Sequence, residues 1–191
     1  VLLLGLVGAV VACGDDSEPL DTGQEPGGSG EIAVKVSVGG GFVPQGADFM
    51  SVPTIVLGDG TVFTGGAITL QYPGPPVLPV QTGSMSPTDV DGLLAAARAA
   101  GLDRDGVDYG RPNITDVGTT TVTVVIDGEE HVADVYALGF DGPAGPEGTD
   151  GSQEMDGLTD EQRAARAAVE EFVTDLTDQV SAAATDTIEP T

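Results

Sequence analysis

Apolar positions along this chain fall into a few distinct rhythms. From Glu31 the segment EIAVKVSV alternates, with Ile32, Val34, Val36 and Val38 on one face and Glu31, Ala33, Lys35 and Ser37 on the other. That is the period of a half-buried strand. TIVLGDGTVF, from Thr54, places two short β-rich runs around Asp59-Gly60, and such a pair predicts a hairpin because the turn needs residues that accept positive φ. ITLQYPGPPVLPV, residues 68–80, holds four prolines. A proline lacks the N–H that an interior ladder needs, so this stretch predicts an edge strand or an extended crossing segment. In TTTVTVVIDGEEHVADVYAL, Val122, Val124 and Ile126 alternate with Thr119, Thr121 and Thr123, and Asp127-Gly128 predicts the turn of a second hairpin.

Two stretches carry the helical period instead. Ser86 is an N-cap, Pro87 occupies the first helical position, and Asp89 lies in the first turn, where it complements the helix dipole. Val90, Leu93, Leu94 and Ala97 make one stripe, and Gly101 provides the stop. The second helix is predicted over residues 158–182, opened by a Thr159/Gln162 capping box. Leu158, Ala165, Val169, Phe172, Val173, Leu176 and Val180 form its apolar stripe, with Glu170, Asp175 and Asp178 opposite. Such a stripe is expected to dock on a core.

The order of these elements predicts an α+β fold, an antiparallel sheet of about five strands with two helices packed on one face. The other face is then solvated or covered, which suits the threonine-rich alternation. Residues 31–140 are expected to form the α+β domain. DGPAGPEGTDGSQEMDG, residues 141–157, reads as a disordered low-complexity loop, and residues 183–191 as a flexible tail.

The N-terminal run from Val1 to Ala12 is almost unbroken in its apolarity. It is shorter than the roughly 20 residues a membrane span needs and matches the apolar region of a signal peptide. It ends Val10-Val11-Ala12-Cys13, which resembles the lipobox of bacterial lipoproteins. That resemblance implies cleavage before Cys13 and a diacylglyceryl group, with palmitate-like chains, on its sulfur. Two acyl chains exceed the single chain that anchors only marginally. No Met and no basic stretch precede Val1, so the expectation is that the start of the leader is truncated or that Val1 represents an alternative start codon. With its only cysteine lipidated, the chain could form no internal disulfide. GDDSEPLDTGQEPGGSG, residues 14–30, then reads as a flexible acidic tether, about 20–25 Å in average span.

Composition and charge narrow the function. Hydrophobic residues make up 40% of the 191, but aromatics only 4% with no Trp, so the core is aliphatic. Gly (29) and Pro (13) exceed a fifth of the chain, a turn-rich composition. The net charge of −25 repels phosphate backbones and excludes nucleic acid as a partner. It also supplies no basic cluster for anionic lipid. Between Ile32 and Met85 the only acids are Asp48 and Asp59.

Candidate chemistry is sparse. His131, the single histidine, is expected to face solvent from a strand, and no Gly-x-Ser-x-Gly elbow offers it a nucleophile. Cysteine clusters, phosphate loops and paired metal-binding histidines are missing, so no cofactor other than calcium is suggested. Asp103, Asp105 and Asp108, in GLDRDGVDYGRPNITD, offer hard oxygens of the kind Ca²⁺ accepts. They do not follow the EF-hand spacing, and in a turn such side chains also bond local amides.

Several segments together resemble a group of uncharacterised lipoproteins from high-GC Gram-positive bacteria. They are GGFVP, VPTIVLGDGTVF, YPGP, AARAAGL, DYGRPNITDVGTTTVTV, HVADVYALGF and EQRAAR, spread over roughly residues 36–170. The resemblance implies location and element order and carries over no activity and no catalytic residue. The expectation is a lipid-anchored protein on the extracytoplasmic face of the cell membrane with a non-enzymatic binding or structural role. Its partners would be the membrane, through the anchor, and a protein, peptide or cell-wall ligand. The neutral region from Ile32 to Met85, with its YPGPP segment, is the expected contact surface. A calcium-dependent adhesive module is the alternative, and a secreted hydrolase using His131 or a carboxylate pair comes third.

Overall fold

The structure is a computed structural model, and it describes residues 30–41, 52–67, 78–140 and 157–188. Its elements in chain order are β1 (Ile32–Gly39), β2 (Thr54–Leu57), β3 (Thr61–Gly65), β4 (Val80–Ser84), α1 (Pro87–Ala99), β5 (Thr119–Ile126), β6 (Glu129–Tyr136), α2 (Asp160–Ala183) and β7 (Ala184–Ile188). The strands form one sheet in the order β6-β5-β1-β2-β3-β4-β7, and every adjacent pair is antiparallel. Helix α1 rests on β1 and β5, and α2 rests on β2, β3, β4 and β7 and against α1. The fold is therefore α+β, with both helices on one face of a single antiparallel sheet.

The predicted alternation places the core. Val34, Val56, Val62, Val122, Val124 and Val135 point from the sheet toward the helices and are fully buried against Leu93, Val169, Leu176 and Val180. Each such side chain contributes about 1.5–3 kcal/mol by leaving water. The Thr159/Gln162 capping box read from the sequence is present, and at the other helix the expected N-cap Ser86 goes further and forms a box of its own with Asp89. At the end of α1, Gly101 adopts φ +76. Its N–H bonds to the Arg98 carbonyl and that of Leu102 to Ala97, closing the helix as a Schellman motif. Both hairpin turns fall where predicted. Asp127 and Gly128 are both at positive φ, as a type I′ turn requires. In the other, the Thr61 amide donates to Asp59 Oδ1 at 2.9 Å, and that bond holds the Asp59 carboxyl below its usual pKa.

Three expectations need correction. The sheet has seven strands rather than about five. Of the proline-bearing segment 68–80 only residues 78–80 belong to the described residues; Val80 opens β4, an interior strand, and the rest of that expectation lies outside them. The stretch expected to be a flexible tail instead leaves α2 directly into β7, which pairs with β4. Gly83 makes that junction possible: a Cβ there would stand 1.9 Å from the Ala183 carbonyl oxygen. Finally, β1 is irregular between Ile32 and Val34. The extra residue, Ala33, is buried, whereas Ile32 pairs with Leu57 and stays 37% exposed. A bulge reverses the side-chain alternation at that point, so Ile32 leaves the face that carries Val34 and Val36.

Candidate functional site

The face of the sheet turned away from the helices presents an ordered array of side chains. Cross-strand pairing lines up Val132, Thr123, Lys35, Ile55, Phe63, Thr82 and Asp186 in one band over all seven strands. At about 4.8 Å per strand step the band is roughly 29 Å wide. Lys35, the only lysine of the chain, is third of the seven beside the central Ile55, and Val132 is 53% exposed at one end. Acid on this face is confined to the two edge strands, as Glu130 and Asp134 on β6 and Asp186 on β7. Asp134 there accepts a hydrogen bond from the Thr121 hydroxyl at 2.6 Å. From β1 to β4 this face bears no carboxylate among the described residues, although the chain carries 31.

The aspartates read as calcium ligands are engaged separately. Asp108 accepts from the Gly110 amide at 2.8 Å through one oxygen and from the Gln162 side chain at 2.9 Å through the other. Asp105 pairs with His131 Nδ1 at 3.1 Å. Among the described residues no three His, Cys, Asp or Glu side chains converge as a metal site would require. The loop thus uses two of its acids to tie itself to α2 and to β6.

His131 does not face solvent as expected. It pairs with the buried Val124, which puts it on the helix side of β6, and its side chain is only 12% exposed against Asp105. Asp105, in the loop that follows α1, lies against it.

Arg166 was missed by the helical reading because charge disguised its place in the stripe. It stands three residues before Val169 and is completely buried. Its guanidinium donates to the Ala137 carbonyl at 2.8 Å and to the Tyr109 carbonyl at 3.5 Å. Ala137 is held at φ +55, an uncommon conformation for a residue with a Cβ. One side chain of α2 thus joins the end of β6 to the loop that follows α1. The signal available in the sequence was an arginine at a core position of an otherwise apolar stripe.

A second concavity lies where the 111–116 segment meets Tyr136. The Arg111 guanidinium stacks 3.8 Å from the Tyr136 ring centroid, and the Tyr136 hydroxyl donates to the Ile114 carbonyl at 2.8 Å. Cys13 and the YPGPP segment lie outside the described residues, and no described helix is long and apolar enough to cross a membrane.

The class defined by these observations is an α+β domain with a single seven-stranded antiparallel sheet whose second face carries no helix among the described residues. No protein-family model, no curated protein and no solved structure matches the chain.

Proposed function

We propose that this chain is a lipid-anchored extracytoplasmic binding protein with a non-enzymatic role, attached to the cell membrane through Cys13. The open face of its sheet is the contact surface for a protein, peptide or cell-wall ligand. The observation that carries this reading is the acid-free band across β1 to β4, centred on Lys35, Ile55 and Phe63. In a molecule of net charge −25, most surfaces hold carboxylates whose hydration a partner would have to strip. A surface of threonine, half-buried apolar side chains and one lysine loses far less on contact. An acidic tether of residues 14–30 would hold this face clear of the membrane.

Photo-crosslinking in intact cells tests the reading. A photoreactive residue is placed at Thr123 or Val132 on the open face, and at Asp178 on the exposed side of α2 as a control. Discrete adducts are expected from the first two positions and not from the third, equally with Ca²⁺ present or chelated. Adducts from Asp178 alone, or from none of the three, would contradict the sheet face as the contact surface. Adducts that vanish on chelation would favour a calcium-dependent module instead.

A further inference from the structure

A hollow beside Tyr136 borders the outward side of β6, which Tyr136 shares with Val132 and Asp134, and it stands independently of the anchor. It is an open hollow of about 470 Å³ lined by Arg111, Pro112, Asn113, Ile114, Thr115 and Asp116 along with Tyr136. That volume falls within the range of small-molecule pockets, about 300–1,000 Å³. Its walls are fixed by several independent contacts. The hydroxyl of Tyr136 holds the Ile114 carbonyl, and the ring of Tyr136 carries the Arg111 guanidinium on its face. Pro112 is buried beneath the loop. Asp116 sits at φ +62, a conformation that aspartate tolerates better than most residues. Its backbone lies against Gly41, where a Cβ would come within 3.2 to 3.3 Å of Val117 and Asp116. Gly41, two residues beyond β1, therefore allows the loop to approach the sheet end.

Charge sets the ligand class. Arg98 pairs with Asp127 and Arg163 with Asp160, whereas among the described residues Arg111 takes part in no ion pair. A guanidinium held over an aromatic ring by its π face keeps its N–H donors, two of which a carboxylate can accept. A ligand that is anionic overall would be repelled by the net charge of −25. A zwitterion carries no net charge to be repelled, yet offers a carboxylate to Arg111 and an ammonium to Asp116, with Asn113 and Thr115 available for its polar backbone. We propose that this cleft binds a small zwitterion bearing an α-carboxylate and an ammonium group, of the size of a free amino acid or dipeptide.

Isothermal titration of the full chain with alanyl-alanine, its N-acetyl form and its C-terminal amide tests this directly. The unblocked dipeptide is expected to bind, and each blocked form to bind about tenfold more weakly or worse, the loss of one charge-assisted contact. Arg111→Met should weaken the dipeptide by at least about tenfold while leaving the urea unfolding midpoint unchanged. Asp116→Asn should weaken the dipeptide but not the N-acetyl form, and it serves as the second variant should Arg111→Met lose its fold. Absence of binding by alanyl-alanine, equal binding of the blocked forms, or undiminished binding by both variants would each overturn the proposal.

Discussion

Arg166 shows how one residue can decide the local architecture. Its cost of burial is offset by the carbonyls of Ala137 and Tyr109, which receive its N–H groups inside the core. Arg166→Ala should lower unfolding stability by about 3 kcal/mol, since it leaves a cavity and strands buried carbonyls. Urea denaturation checks the value, and Arg166→Met should recover part of it by filling space. Tyr109, in the same neighbourhood, makes a separate prediction. Desolvation raises its phenol above the ordinary pKa of 10.0, against a weaker opposing effect of Arg104. The folded state therefore holds the phenolic proton more tightly than the unfolded chain. Its contribution is whole below about pH 10 and is lost as pH climbs through the higher folded value. Thermal melts of wild type and Tyr109→Phe above pH 10 should diverge, with the wild type falling faster. Parallel curves would show that burial of this hydroxyl does not matter.

Elements with regular periods were legible from the sequence, and those made by tertiary pairing were not. The Ser86 cap, the Thr159/Gln162 capping box, the Asp127-Gly128 turn and the valine alternation of β5 are local signals, and each is realised. β7 has no such signal: Thr185 and Thr187 favour strands, but ATDTI is too short and too polar to alternate. What fixes it is β4 beside it and the missing side chain of Gly83. Gly83→Ala should push the Ala183 carbonyl away and unzip β7 while the rest of the sheet persists. Hydrogen exchange should then show amides 184–188 losing protection with those of β1 and β5 unchanged. Retained protection at β7 would mean that the close approach is dispensable. The Ile32 bulge was hidden for the same reason, since a strict alternation in sequence says nothing about an extra residue against a partner strand. The candidate site was legible only in part. A low-acid stretch from Ile32 to Met85 was visible, but its arrangement as one band required the strand order, and neither the pairing of His131 with Asp105 nor the stacking of Arg111 on Tyr136 has a sequence signature.

At the scale of the whole molecule, the separation of surfaces gives the account its shape. Helices cover one side of the sheet, acid collects on the helices, loops and edge strands, and the central strands keep a nearly neutral face. A domain so arranged is suited to presenting that face to a partner while its acidic remainder repels others of its kind. Such a role depends on where the chain is held, and the tether and the Val10-Val11-Ala12-Cys13 border are the proposed means. Mass spectrometry of the N-terminal peptide from protein made in its native host tests this most directly. The account predicts a chain that begins at Cys13, with a diacylglyceryl mass on the sulfur. A bare thiol at Cys13 with residues 1–12 still joined to it would contradict the account.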